Sequence, residues 1–450
     1  MNNELLQQID LAIENCREEL TRDTIKLIAV KSVQGEPEPG APFGRGPRNM
    51  LDTALEMGRE AGFYTTDYGV GVVSLGMQEG QPDLGIWLHG DVVPEGPGWN
   101  FDPYDAVEHN GCIIGRGSCD NKGQLCAMFH LLKIFKKLGI SLHYNPAIYV
   151  GSNEESGMYD MRGIPGNDDA KGFCNVCTPP RLSLVPDSGF PIGIGANGSI
   201  LMNFTTDTPL GVTMTAGLDD APGKATAQWG GNTVVTESEM LHPSLPDPKG
   251  NMITQLMDRL LEENAVAQEH RSVLEFFRRL SLDVHGDSFG INVKTEQLPQ
   301  VTVFVKKLET VNGRPSLLVN VRYPFGITAE EIEKILGEEA ARFGVTMTNF
   351  SVQRKPYLLD RNWPILQMLA EIANSVTGEH KEPYTISGGT YAHMLPNAFI
   401  YGTDANVPPA DFPADRGKAH GLDEAASISR LQRAMRIYAR ALLALNETDW

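Results

Sequence analysis

The segment WLHGDVVPEGPGW, Trp87–Trp99, leaves an apolar run and sets His89 and Asp91 two residues apart. On an extended chain that spacing places both side chains on one face. An imidazole and a carboxylate are thus presented together, and Pro94 and Pro97 stiffen the loop behind them. Four further loops carry comparable groups. GRGSCDNKG holds Asp120 between glycines, and GSNEESG pairs Glu154 with Glu155 behind the apolar run Ala147–Val150. VPDSGFP holds Asp187, and GKAHGLDE holds His420. Taken alone, each has an ordinary reading. Asp120 suits a helix cap, the adjacent glutamates suit a solvated loop, and His420 suits an exposed turn. Their recurrence in Gly- or Pro-punctuated loops, most of them behind a strand-like run, points instead to one shared site.

Two imidazoles and three carboxylates form a ligand set for two zinc-like ions with a hydroxide between them. Two divalent cations offset three carboxylates and one hydroxide, and a neutral cluster is far easier to bury than a charged one. On this reading the ligands are His89, Asp120, Glu155, Asp187 and His420, with Asp120 as the bridge. Glu154 lies beside a ligand without being one. It is placed to take a proton from metal-bound water and return it to a leaving amine. Asp91 accepts the remaining imidazole proton of His89 and fixes its tautomer.

The elements that must hold these loops read as alternating strands and helices. Residues 3–22 and 50–62 have helical spacing. Behind them come GVGVVSLG, LGIWLHGD, the helix-like GQLCAMFHLLKIFKKLG, and AIYVGSNEE. This order implies an α/β domain with a mostly parallel central sheet flanked by helices, with ligand loops at the carboxyl ends of its strands. From Ser199 the pattern changes. ILMNFTTDTPLGVTMTAG alternates like an antiparallel strand pair, a helix follows near Asn251–Glu263, and VTVFVKKL and SLLVNVRYP look like strands. At 450 residues two domains are expected. The predicted division is 1–198 and 356–450 as two parts of a catalytic domain, with 199–355 as an inserted α+β domain carrying an antiparallel sheet.

Six motifs then carry a family resemblance. HGDVVP, GRGSCDNKG, GSNEESG, PDSGFP, SGGTYAHMLPN and AHGLDE occur in an order and at spacings that resemble the dizinc metallopeptidases of the aminoacylase, carboxypeptidase G and carnosinase family. Within it the dipeptidase V (Xaa-His dipeptidase-like) branch is the most similar. The resemblance implies the same five ligands, with Glu154 as general base and the insert as a lid. LHPSLPDPKGNM resembles the lid motif and maps His242 onto the histidine that stabilises the oxyanion, with His285 in DVHGDSFG a poorer match. Arg322 in VNVRYP resembles the lid arginine that grips a substrate carboxylate. Gly388, Gly389 and Thr390 of SGGTYAH would let backbone amides approach that carboxylate. Two departures stand out: His393 where an arginine is common, and Asn121 where a second Asp is frequent.

The expected activity is hydrolysis of dipeptides, or similar small peptides with a free C-terminal carboxylate, using two divalent ions. Zinc is the first choice, with manganese or cobalt as substitutes. N-acyl amino acid deacylation with the same site is the alternative. A balance of 38 basic against 57 acidic residues, net charge -19, argues against nucleic acid and anionic membranes as partners. No apolar run approaches the roughly 20 residues of a membrane span. The start MNNELLQQID lacks the basic and apolar regions of a signal peptide, and six cysteines in this length read as reduced thiols. A cytoplasmic monomer or homodimer is therefore expected. GIGANG, Gly193–Gly198, fits a dinucleotide fingerprint but leads into a strand-like run rather than a helix. His130 reads as a core residue, and the lone CxxC of Cys174 and Cys177 as no metal site.

Overall fold

Leu84–His89 and Pro146–Gly151 are buried at each position, as befits strands covered on both faces of a sheet. They pair in parallel with His89 opposite Gly151, and Leu84–His89 also pairs in parallel with Leu182–Val185. Three strands running the same way end along one edge, so the loops carrying His89, Glu154 and Asp187 emerge together. The computed structural model that shows this describes residues 3–164, 167, 169–217, 223–238, 251–405 and 408–450.

The chain divides into two units. The first comprises 1–194, 359–384 and 390–450, and the second 195–358 and 385–389. In the first, the sheet runs in the order Tyr64–Asp67, Val72–Gly76, Pro146–Gly151, Leu84–His89, Leu182–Val185, Ala398–Ile400. Its centre is parallel and its Tyr64 margin antiparallel. The helix Lys122–Lys137 is buried along most of its length and packs on the strands Leu84–His89 and Pro146–Gly151. Ala425–Ser427 joins a small separate sheet with Cys112–Ile114 and Val107–His109, bringing the segment after His420 beside the segment before Asp120.

The second unit is built on a seven-stranded antiparallel sheet. The helices Met252–Glu262, Arg271–Leu282 and Ala329–Arg342 share one apolar core with it. Along Gly198–Thr206, Ile200, Met202 and Phe204 enter that core, while Leu201, Asn203 and Thr205 are only half-buried. A mixed α/β chain with a parallel sheet and a separate antiparallel one is the class the sequence predicts.

Two local readings differ. The alternation over Ile200–Gly217 reads as a strand pair, yet Gly198–Thr206 pairs with Arg314–Tyr323 and Val345–Arg354, and Thr213–Gly217 pairs with Gly223–Trp229 and Thr302–Val311. A period of two fixes which face is buried, not which strand lies alongside. The N-terminal helical spacing resolves into Asn3–Asn15 and Arg17–Ile28, meeting at Cys16. GIGANG leads into the strand Gly198–Thr206 rather than a helix, as the sequence indicates, and its first four residues form the strand Gly193–Ala196. Among the described residues no helix is long and apolar enough to cross a membrane.

The helix behind Asp120 starts in a confined position. A Cβ on Gly123 would lie 2.1 Å from the Ser118 carbonyl oxygen. In an open helix Gly→Ala gains about 1 kcal/mol, but here overpacking against main chain outweighs it. Gly123→Ala is expected to unfold at lower urea, by about 1–3 kcal/mol; an unchanged or raised midpoint would contradict this packing.

Candidate metal centre

His89, the last residue of its strand, turns its ring toward Asp120, with Nε2 at 3.0 Å from Oδ1. Its Nδ1 donates to the Asp91 carbonyl oxygen at 3.0 Å, which leaves the Nε2 lone pair facing the cluster. His420 approaches the other Asp120 oxygen, its Nε2 lying 3.1 Å from Oδ2 and 2.9 Å from Glu155 Oε1. Its φ of 62° is left-handed, a conformation uncommon outside glycine, and Gly421 follows it. Two groups of three result. His89, Asp120 and Asp187 offer ligand atoms within 4.8 Å of one another, as do Asp120, Glu155 and His420. Asp120 belongs to both. All five predicted ligands are thus brought together within the first unit.

The donor set fits two divalent cations better than it fits no cation. Burial, followed by repulsion from Asp187, pushes the Glu154 carboxyl well above the usual range. Asp187 is raised by burial and then by Asp120, and Glu155 is raised chiefly by burial. Burial works against Asp120 as well, but His420 and His89 hold it below the ordinary value. Burial likewise disfavours the charged form of both imidazoles, and the surrounding carboxylates still raise them. Among the described residues, the buried Oε1 of Glu154 has no hydrogen-bond partner. Carboxylates crowded in low dielectric repel unless cations intervene, and imidazole nitrogens with carboxylate oxygens are the ligands that zinc takes.

The supports around this cluster are carboxylates bound to backbone amides. Asp91 Oδ1 and Oδ2 accept the N–H groups of Glu154 and Glu155, each at 3.1 Å. Its carboxylate therefore fixes the loop of both glutamates and lies 3.6 Å from His89 Nδ1, while its carbonyl takes the closer imidazole bond. Sequence reasoning gave that bond to the side chain. Glu424 was missed. It is fully buried, accepts the N–H groups of Cys119 and Asp120 at 3.0 and 3.1 Å, and pairs with Arg116 at 2.6 Å. Both residues lie inside the motifs around Asp120 and His420, so a search for charged neighbours of the ligands would have found them. Asp160 was missed too: its Oδ2 accepts the N–H groups of Ser152 and Asn153 and the Tyr391 hydroxyl, at 2.8, 3.1 and 2.6 Å. Asn121 stands just before the following helix without a side-chain bond to it, and donates to the Pro186 carbonyl at 3.0 Å, tying the Asp120 loop to the Asp187 loop.

The pattern of peptidase family M20/M25/M40 matches residues 86–444, most of the chain and every group just described. The chain belongs to this family. It is a metallopeptidase, as the six motifs imply. It is similar to "Putative dipeptidase YtjP" of Bacillus subtilis (strain 168), 27% identical over an alignment that covers 95% of this chain and 97% of that protein. In fold it is similar to human carnosine dipeptidase 1, with a TM-score of 0.62 at 15% identity, covering 98% of this chain and all of the other. The dipeptidase Dug1p of Saccharomyces cerevisiae gives 0.61 at 13% identity, over 99% of each chain.

Other residues of the peptidase singled out by sequence fall elsewhere. Arg322, Gly388 and Gly389 lie in the second unit, and Arg322 is buried. Thr390 caps a single helical turn, its hydroxyl accepting the Ala392 N–H at 3.2 Å. His242 lies outside the described residues. The rival His285 is committed to structure, donating from Nδ1 to the Val301 carbonyl at 2.8 Å, with Gln300 on its other nitrogen. His130 is buried against Asp23, as its apolar helix suggests. Among the described residues, Cys174 and Cys177 join no metal-ligand group.

Burial, then repulsion from Asp91, raises the Asp160 carboxyl from 3.8 to about 7. A carboxyl raised in the folded state contributes fully below its unfolded value, and that contribution is lost as pH climbs through the folded one. Asp160→Asn keeps an acceptor for Ser152, Asn153 and Tyr391 without the titration. Between about pH 5 and pH 8 the native peptidase should lose more thermal stability than Asp160→Asn. Parallel melting curves across that range would refute the assignment.

Proposed function

We propose that this metallopeptidase hydrolyses the peptide bond of dipeptides and similar small peptides bearing a free C-terminal carboxylate. The observation that carries the reading is the pair of three-residue ligand groups sharing Asp120, with Glu154 buried beside them. His89, Asp120 and Asp187 would hold one divalent ion, and Asp120, Glu155 and His420 the other, zinc being the first choice. Such ions supply Lewis acidity toward the scissile carbonyl and make a water easier to ionise. Glu154, its carboxyl raised by burial, takes the proton from that water and returns it to the departing amine. Asp91 is a positioning residue, holding Glu154 and Glu155 by their backbone amides. Residues 1–198 and 356–450 are read as the catalytic domain and 199–355 as its lid. His242 is assigned to the oxyanion, while Arg322, Gly388, Gly389 and Thr390 are assigned to the substrate carboxylate. Similarity to proteins named as dipeptidases supports the substrate class. The cytoplasm is the compartment proposed.

Glu154→Ala is expected to retain two metal ions per chain by elemental analysis while kcat toward dipeptides falls by about 10²–10⁴. Full metal occupancy with near-normal turnover would remove Glu154 from its role. In the same assay, preferential cleavage of N-acetyl or N-succinyl amino acids over dipeptides would replace the dipeptide reading with deacylation.

A further inference from the structure

Arg116 and Glu424 take no part in the chemistry assigned to Glu154 and the ligands. Both side chains are buried within the first unit, with Arg116 Nη1 at 2.6 Å from Glu424 Oε2. A buried ion pair is poor evidence of a stabilising role, because apolar side chains of similar volume often serve as well. What distinguishes this pair is the set of main-chain groups it holds. Glu424 Oε1 accepts the N–H groups of Cys119 and Asp120, while the Glu424 carbonyl oxygen accepts the Gly115 N–H at 2.9 Å and the Ser118 hydroxyl at 3.0 Å. Arg116 Nη2 donates to the carbonyl oxygens of Pro94 and His420, each at 3.3 Å. One guanidinium thus joins its own loop, which carries Asp120, to the loop behind Asp91 and the loop of His420. The Trp99 ring covers a face of that guanidinium, its centroid 5.1 Å away.

Two consequences follow for the ligands. The left-handed backbone of His420 persists only where its surroundings hold it, and the bond from Arg116 to the His420 carbonyl is one such hold. Glu424, for its part, grips the Asp120 amide as a carboxylate, yet Arg116 cancels the charge that another buried carboxylate would bring beside the cluster. A planar fork of donors suits that combined task better than the point charge of a lysine. The support is also uneven between the two ligand groups. Of Asp120, Glu155 and His420, two are held by the pair; of His89, Asp120 and Asp187, only the shared Asp120 is. His89 has its own bond to the Asp91 carbonyl, and the Asp187 loop is tied through Asn121.

We propose that Arg116 and Glu424 are positioning residues for one of the two ions, the one assigned to Asp120, Glu155 and His420, and that they set its affinity while leaving the other ion nearly unaffected. This rests on the assignment of those three residues as ligands.

The test measures zinc binding to the full chain by competition with a chromophoric chelator, and folding by circular dichroism in metal-free buffer. Combining Arg116→Gln with Glu424→Gln removes both charges and leaves neither buried alone. This double variant should bind one zinc ion about 10–100-fold more weakly than the native protein, and the other nearly as tightly. His420→Ala removes a ligand and so identifies the affected ion. Adding the double substitution to His420→Ala should leave the remaining ion nearly unchanged, since both lesions act on the same one. Arg116→Lys, which keeps the charge, should fall between the native protein and the double variant. Equal weakening of both ions overturns the proposal, as does unchanged affinity. A double variant that is unfolded without metal, where His420→Ala is folded, also overturns it and makes the pair a folding element. If His420→Ala itself binds both ions as tightly as the native protein, the ligand assignment falls, and the proposal with it.

Discussion

The fold is organised around one shared carboxylate. Asp120 faces both imidazoles, 3.0 Å from His89 and 3.1 Å from His420. Around it Glu154, Glu155 and Asp187 are packed where burial raises each of them. Nothing in hydrophobic packing favours such a gathering. It is tolerable because the sheet and its loops hold the groups in place, and because the same groups form a donor set for divalent cations. The family's metal chemistry and the electrostatic tension of the cluster have one origin.

A single device recurs in holding those loops. Buried carboxylates accept two consecutive backbone amides: Asp91 at Glu154 and Glu155, Glu424 at Cys119 and Asp120, Asp160 at Ser152 and Asn153, Asp423 at Asn100 and Phe101. Gripping the main chain in this way fixes where the neighbouring side chains point without spending those side chains on the task. Precise ligand placement depends on such surrounding bonds, whose loss commonly weakens a metal site by about 10–100-fold.

Much of this was legible in the sequence because each ligand follows a short apolar run or sits among glycines, and such places lie at strand ends. The five residues that the structure gathers into two groups sharing Asp120 could be singled out from residue type and punctuation. The supports were harder to see. A carboxylate that binds backbone amides leaves no trace in the identity of its partner, which is why Asp91 was given the imidazole and Glu424 was passed over. The Asp160–Tyr391 bond spans 231 positions, and no spacing rule reaches that far. The mistaken strand pair over Ile200–Gly217 has a related cause, since alternation reports burial and is silent about neighbours.

The buried Arg116–Glu424 pair joins residues 308 apart, and Glu424 also holds the Asp120 amide. During synthesis the loop of Asp120 therefore emerges long before the residue that fixes it, and the inserted unit, which has its own core, is made in the interval. That unit can fold on the ribosome while the first waits, since domains generally fold as units in order of emergence. The two groups around Asp120 take shape only after the segment carrying both His420 and Glu424 arrives, so a chain stopped short of it lacks one imidazole and the buried support of the Asp120 loop together.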